Sequence, residues 1–154
     1  MHYDCLISDS IRIDGKMKVS AKYTRLVSLF GKPDSIIRYT EEDDFYDNPY
    51  SIVEYESMQF RLFDDESTFI SRLTFENSNH FISYGKLKLN ENTLIDDLKT
   101  LFPNSYYLKD TTSSENRPLV AMRFFTDSSP TDTQWVLLFE QNRLKFIHYF
   151  DGNS

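Results

Sequence analysis

Residues 15–20 read GKMKVS and residues 85–90 read GKLKLN. The two segments share a glycine and two lysines and keep the intervening positions apolar. The likeness extends outward from them. Leu26, Leu29 and Phe30 of RLVSLF fall on Leu98, Leu101 and Phe102 of DLKTLF, and Pro33, Asp34 and Ser35 fall on Pro103, Asn104 and Ser105. Three matches in the same order, separated by short gaps, point to an internal duplication, and a duplication constrains architecture before any other reading does. The expectation is one α+β domain over residues 1–154, built of two tandem repeats at about 10–76 and 80–150.

Each copy makes the same physical sense. Asp14-Gly15, between apolar runs at 11–13 and 17–19, signals a tight hairpin, because glycine tolerates the positive φ such turns require. Tyr84-Gly85 holds the same place in the second copy. Ser20 is placed to cap a helix whose Tyr23, Leu26, Val27 and Phe30 follow the spacing of one buried face, with Gly31 and Pro33 ending it. In the second copy Asn92 or Thr93 starts a helix, Leu94, Ile95, Leu98, Leu101 and Phe102 form its stripe, and Pro103 stops it. Helices this short need a sheet to cover them.

That sheet is read from aromatic and β-branched runs at 50–56, 58–63 and 69–76, and again at 119–126, 134–140 and 144–150. Alternation assigns Met58, Phe60, Leu62, Leu73 and Phe75 to the face under the first helix, and Trp135, Leu137, Phe139, Ile147 and Tyr149 to the face under the second. The opposite face carries Gln59, Arg61, Arg72 and Thr74 in the first half but Val136, Leu138, Phe146 and His148 in the second. This asymmetry predicts a cover over the second half: a partner, a loop or another subunit. The stretches 40–49 and 109–118 read as long loops.

Composition removes several classes of function. The chain has 154 residues, 24 acidic against 17 basic, and a formal charge of -7, the wrong sign for phosphate binding, so no nucleic acid is expected as a partner. Aromatics make up 16% of it, which argues for a packed core rather than disorder. The first ten residues, MHYDCLISDS, do not form the basic-then-apolar pattern of a signal peptide, and no run approaches a membrane span; the expectation is a cytoplasmic protein with no membrane partner. Cys5, the only cysteine, reads as an incidental thiol. His2, His80 and His148 show no zinc-ligand spacing, and there is no nucleophile elbow, Walker loop or dinucleotide fingerprint. Asp43, Asp44 and Asp47 lack the order of a calcium loop. No catalytic residue, metal or cofactor is expected, and the chain reads as a non-enzyme.

The acidity is concentrated. Residues 40–66 hold ten carboxylates and a single cation, Arg61. Phe45, Tyr46 and Tyr50 are interleaved with them, and aromatic anchors ringed by charge are the composition of an interface. The same charge also serves as a solubilising surface.

The succession GKMKVS, helix, LFGKPDS, three strands, then GKLKLN, helix, LFPNS, three strands resembles bacterial proteins with the fold of β-lactamase inhibitory protein, in which a helical element and an antiparallel sheet occur twice. The segment ending LFGKPDS also looks like the start of the small lipoprotein domain of outer-membrane assembly. The chain departs from the lipoproteins in having no lipobox before Cys5, and from secreted inhibitors in having neither a signal nor paired cysteines. Small acidic proteins of this look are similar to immunity proteins that protect bacteria from secreted toxins. The resemblance implies a protein that binds a cognate, basic toxin and occludes its active site or a functional surface. The partner-binding candidates are Asp43, Asp44, Phe45, Tyr46, Asp47, Asp64, Asp65 and Glu66. The rival expectation is a self-associating structural or regulatory module, a homodimer through the apolar face around Val136, Leu138 and Phe146.

Overall fold

The structure, a computed structural model, describes residues 1–38, 50–114, 116–128 and 132–151. The chain is α+β and dominated by antiparallel sheet. A first hairpin, β1 (Ile11–Ile13) and β2 (Met17–Lys18), leads through β3 (Ser20–Lys22) into helix α1 (Tyr23–Phe30). A meander follows: β4 (Ser35–Ile37), β5 (Tyr50–Glu54), β6 (Met58–Phe63) and β7 (Ser67–Thr74). A second hairpin, β8 (Ile82–Tyr84) and β9 (Leu87–Leu89), precedes a 3-10 turn at Ile95–Leu98 and helix α2 (Pro103–Tyr107). A second meander, β10 (Asp110–Ser114), β11 (Arg117–Phe125), β12 (Gln134–Glu140) and β13 (Arg143–Phe150), completes the succession of described elements.

The two meanders are not separate sheets. They join edge to edge through β7 and β13, giving the order β10-β11-β12-β13-β7-β6-β5-β4, and β3 adds to the free half of β7. At the seam Thr74, Leu73 and Arg72 face Phe146, Ile147 and His148. The hairpins likewise pair with each other rather than with their own meanders, in the order β2-β1-β8-β9.

Period-two alternation fixes what each strand buries. Met58, Phe60, Leu73, Phe75, Trp135, Leu137, Phe139 and Ile147 lie in one continuous core, with Leu62 and Tyr149 packed against it. All ten expected core positions therefore point the expected way. Two bulges, at Gln59/Phe60 against β7 and at Leu138/Phe139 against β13, shift the alternation by one residue, so that Ile70 and Leu144 enter the same core as Leu73 and Ile147 at a spacing of three; an extra residue in one strand locally raises twist and curvature. The hairpins cover this core, with Ile11, Ile13, Met17, Ile82 and Leu89 buried.

Several expectations are corrected. Ser20 caps nothing: it pairs with Phe69 in β3, the N-cap position is Lys22, and α1 starts without a side-chain cap. Its first N–H instead belongs to Tyr23, which donates to the Glu66 carbonyl at 2.8 Å. Gly31 does end the helix, at φ 83°, where a side chain would be strained. In the second half the expected single helix is broken, because Pro103 begins α2 rather than ending a helix; proline's fixed φ and missing N–H suit the first helical position. Ile95, Leu98 and Phe102 are buried as expected, but Leu94 and Leu101 are 40% and 57% exposed. The stretch 109–118 is not a loop, since it holds strand β10 at Asp110–Ser114 and the start of β11 at Arg117. Polar DTTSS carries no hydrophobic signal, yet pairing with β11 engages one side of its backbone.

Leu73→Ala is expected to lower the unfolding free energy by about 3 kcal/mol, since the side chain is fully buried at the seam, whereas Leu101→Ala on the exposed turn should change it by less than about 0.5 kcal/mol. Urea denaturation followed by tryptophan fluorescence of Trp135 measures both.

Candidate functional site

Antiparallel order decides which strand ends lie together. Tyr50 at the start of β5 faces Phe63 at the end of β6, Lys22 faces Ser67, and Phe125 and Phe150 both face Gln134. One end of the sheet thus gathers the Asp64–Glu66 turn, Asp127, Asp132 and Asp151. The first five of these carboxylates are exposed. Three of the sequence candidates, Asp64, Asp65 and Glu66, stand here. Asp43, Asp44, Phe45, Tyr46 and Asp47 lie outside the described residues, whose flanks at Ile37 and Tyr50 are at this same end.

The turn is built to hold its charges outward. Asp65 accepts the Ser67 N–H at 2.9 Å, Glu66 donates its N–H to the Phe63 carbonyl at 2.9 Å, and Glu66 takes a positive φ of 67°. Hydrogen bonds from the Ser67 hydroxyl and then its N–H hold the Asp65 carboxyl below its ordinary range, so it stays ionised at neutral pH. Behind the turn Arg61 pairs with Asp151 at 2.8 Å and lies over the rings of Tyr50 at 4.7 Å and Tyr149 at 5.3 Å. Planar guanidinium on aromatic faces is a favourable arrangement for a cation that must stay in place.

The face of the sheet opposite the core carries a continuous cross-strand row: Arg123, Val136, His148, Arg72, Gln59 and Glu54. Beside it Leu119, Ala121, Val136, Leu138 and Phe146 form a second small core. Val136, Leu138 and Phe146 are only 2–5% exposed within the single chain. Arg72 lies over the Phe146 ring at 4.2 Å, its apolar stem shielding the cluster as long cationic side chains do. Within the single chain these residues are thus already shielded, by their neighbours and by Arg72 rather than by the expected partner, loop or subunit.

Titratable groups elsewhere act as fasteners. Asp14 accepts the Phe81 N–H at 3.0 Å and sits 2.7 Å from His80 Nδ1, tying the first hairpin turn to the linker before the second. Burial pushes the Asp14 carboxyl up, but the bonds from His80 and Phe81 outweigh it and leave it lowered. Arg117 bridges Glu140 and Glu76. Burial, then Asp4 and Asp127, raise the Cys5 thiol, which keeps it protonated and unreactive. Among the described residues no cluster of His, Cys, Asp and Glu is arranged to hold a metal ion, and no helix is long and apolar enough to cross a membrane.

Comparison with known protein families, with curated proteins and with solved structures gives no match.

His148 yields a pH prediction. Burial, then Arg72 and Arg123, hold its imidazole below the ordinary value of 6.5. The unfolded chain therefore binds a proton more readily, so stability is full above about pH 6.5 and is lost as pH falls through the folded value. Denaturant unfolding at pH 7.5 and 5.5 is expected to show the wild type weakening on acidification and His148→Gln weakening less.

Proposed function

We propose that the chain is an immunity-type binding protein that neutralises a cognate basic toxin by stoichiometric occlusion of its active site or a functional surface. The observation that supports it best is the gathering of Asp64, Asp65, Glu66, Asp127 and Asp132 on one end of the sheet, all exposed. Carboxylates from separate connections in one field steer a cationic partner and raise its association rate to as much as ~10⁸ M⁻¹s⁻¹. Cytoplasmic action and a toxin directed at nucleic acid or nucleotides belong to the same proposal, since such a toxin is itself basic.

The same reading takes the two halves as copies of one unit. Each contributes a hairpin, a helical segment and a four-stranded meander in that order. Corresponding strands pair with each other, β1 with β8 and β7 with β13, as a local two-fold axis between duplicated units requires.

The test is capture of partners on the tagged chain, washed at about 0.1 M and then about 1 M salt, where the Debye length falls to about 3 Å. Recovery of one basic protein in equal amount, toxic when produced alone, supports the reading. Replacing Asp64, Asp65 and Glu66 with Asn, Asn and Gln is expected to slow association with that protein by about 10-fold at low salt and to flatten its salt dependence. Capture of nothing, or association rates unchanged by the triple substitution, counts against this end of the sheet.

A further inference from the structure

At the seam β7 changes partner. Its C-terminal residues pair with β13 through Arg72 and Leu73, while its N-terminal residues pair with β3 from Phe69 back to Ser67. Ser71 is skipped in the register with β6. A cleft of about 260 Å³ lies where the strands part, lined by Arg61, Arg72, His148, Gln59, Tyr50 and Tyr149 among others. In a chain of net charge -7, this is a local concentration of positive charge with aromatic walls.

We propose that this cleft binds a carboxylate group. This site is independent of the toxin-binding reading. Three observations support it. Arg61, one of the lining residues, already pairs with a carboxylate, that of Asp151, at 2.8 Å. Arg72 has no ion pair among the described residues, and its guanidinium lies over the Phe146 ring at 4.2 Å, so its N–H groups are not committed to a carboxylate. Glu54 and Glu56 line the adjoining cavity of about 290 Å³ rather than this one, and Gln59 and Arg72 both stand at the boundary of the two. Gln59 is spoken for by Glu54 at 3.3 Å and Ser71 at 3.0 Å, so Arg72 is the principal donor. A planar carboxylate fits a guanidinium fork bidentately.

The experiment is an NMR titration of the full chain, following the His148 ring protons, with benzoate, a capped triglutamate peptide and inorganic phosphate as separate probes. A saturable shift with benzoate assigns the site to a free aromatic acid, and one with the peptide assigns it to a protein side chain; either supports the proposal. Arg72→Gln is expected to weaken the effective probe by about 10-fold or more, with Arg72→Lys between the two and Arg143→Gln, at the distant start of β13, unchanged. Should Arg72→Gln fail to fold, Gln59→Glu adds a repelling carboxylate while keeping both cations and is expected to abolish the shift. The absence of a saturable shift with both carboxylate probes overturns the proposal. So does tighter binding of phosphate than of either, or affinity indifferent to Arg72 and Gln59.

Discussion

Everything in this molecule hangs on the pairing of β7 with β13. Three residue pairs, Thr74 with Phe146, Leu73 with Ile147 and Arg72 with His148, turn two four-stranded meanders into one sheet. That sheet then offers a single face long enough for both helical segments and both hairpins. Leu73, Phe75, Leu137, Phe139 and Ile147 lie in the same core only because the seam holds their strands side by side. A slip of one residue there would exchange the core row for the row of Arg72 and His148, so the hydrophobic pattern and the register enforce each other.

The seam also makes the two faces unlike. On the core side it is covered by Ile11, Ile13, Ile82 and Leu89 from the paired hairpins. On the other side nothing larger than a side chain is needed, because Arg72 stretches over Phe146 and Arg123 meets Asp110 at 3.6 Å. Charged groups therefore lie directly above an apolar layer, which lowers the His148 imidazole and keeps the neighbouring guanidiniums in partly dry surroundings, where charge interactions are stronger than in water.

How far the amino-acid sequence revealed this can be argued element by element. Strands with aromatic alternation, such as Met58–Phe63 and Gln134–Glu140, were legible to the residue because period-two burial leaves a direct trace. Asp110–Ser114 was not, because an edge strand of small polar residues buries almost nothing and draws its stability from its neighbour's backbone. Pro103 misled because proline serves both as a helix stop and as a first helical residue. The apolar outer cluster at Val136, Leu138 and Phe146 was legible as apolar, but not as enclosed, since Arg72 comes from a strand more than sixty residues earlier. At the acidic end, Asp64, Asp65 and Glu66 were found by charge density, whereas Asp127 and Asp132 join them only through the antiparallel order of β11 and β12.

The seam imposes an order of events on folding. The first meander can form from neighbours in sequence, pairing β7 with β6, but the second edge of β7 at Arg72–Thr74 must wait for residues 146–148 to be made. During synthesis at about 5–20 residues per second, that edge stays open for several seconds beside strands rich in phenylalanine. An open edge of this kind is a template for pairing with another nascent chain. The bulged Ser71 and the charged Arg72 at the open stretch act in that interval as guards, because kinked backbone and a cation make poor docking for a foreign strand.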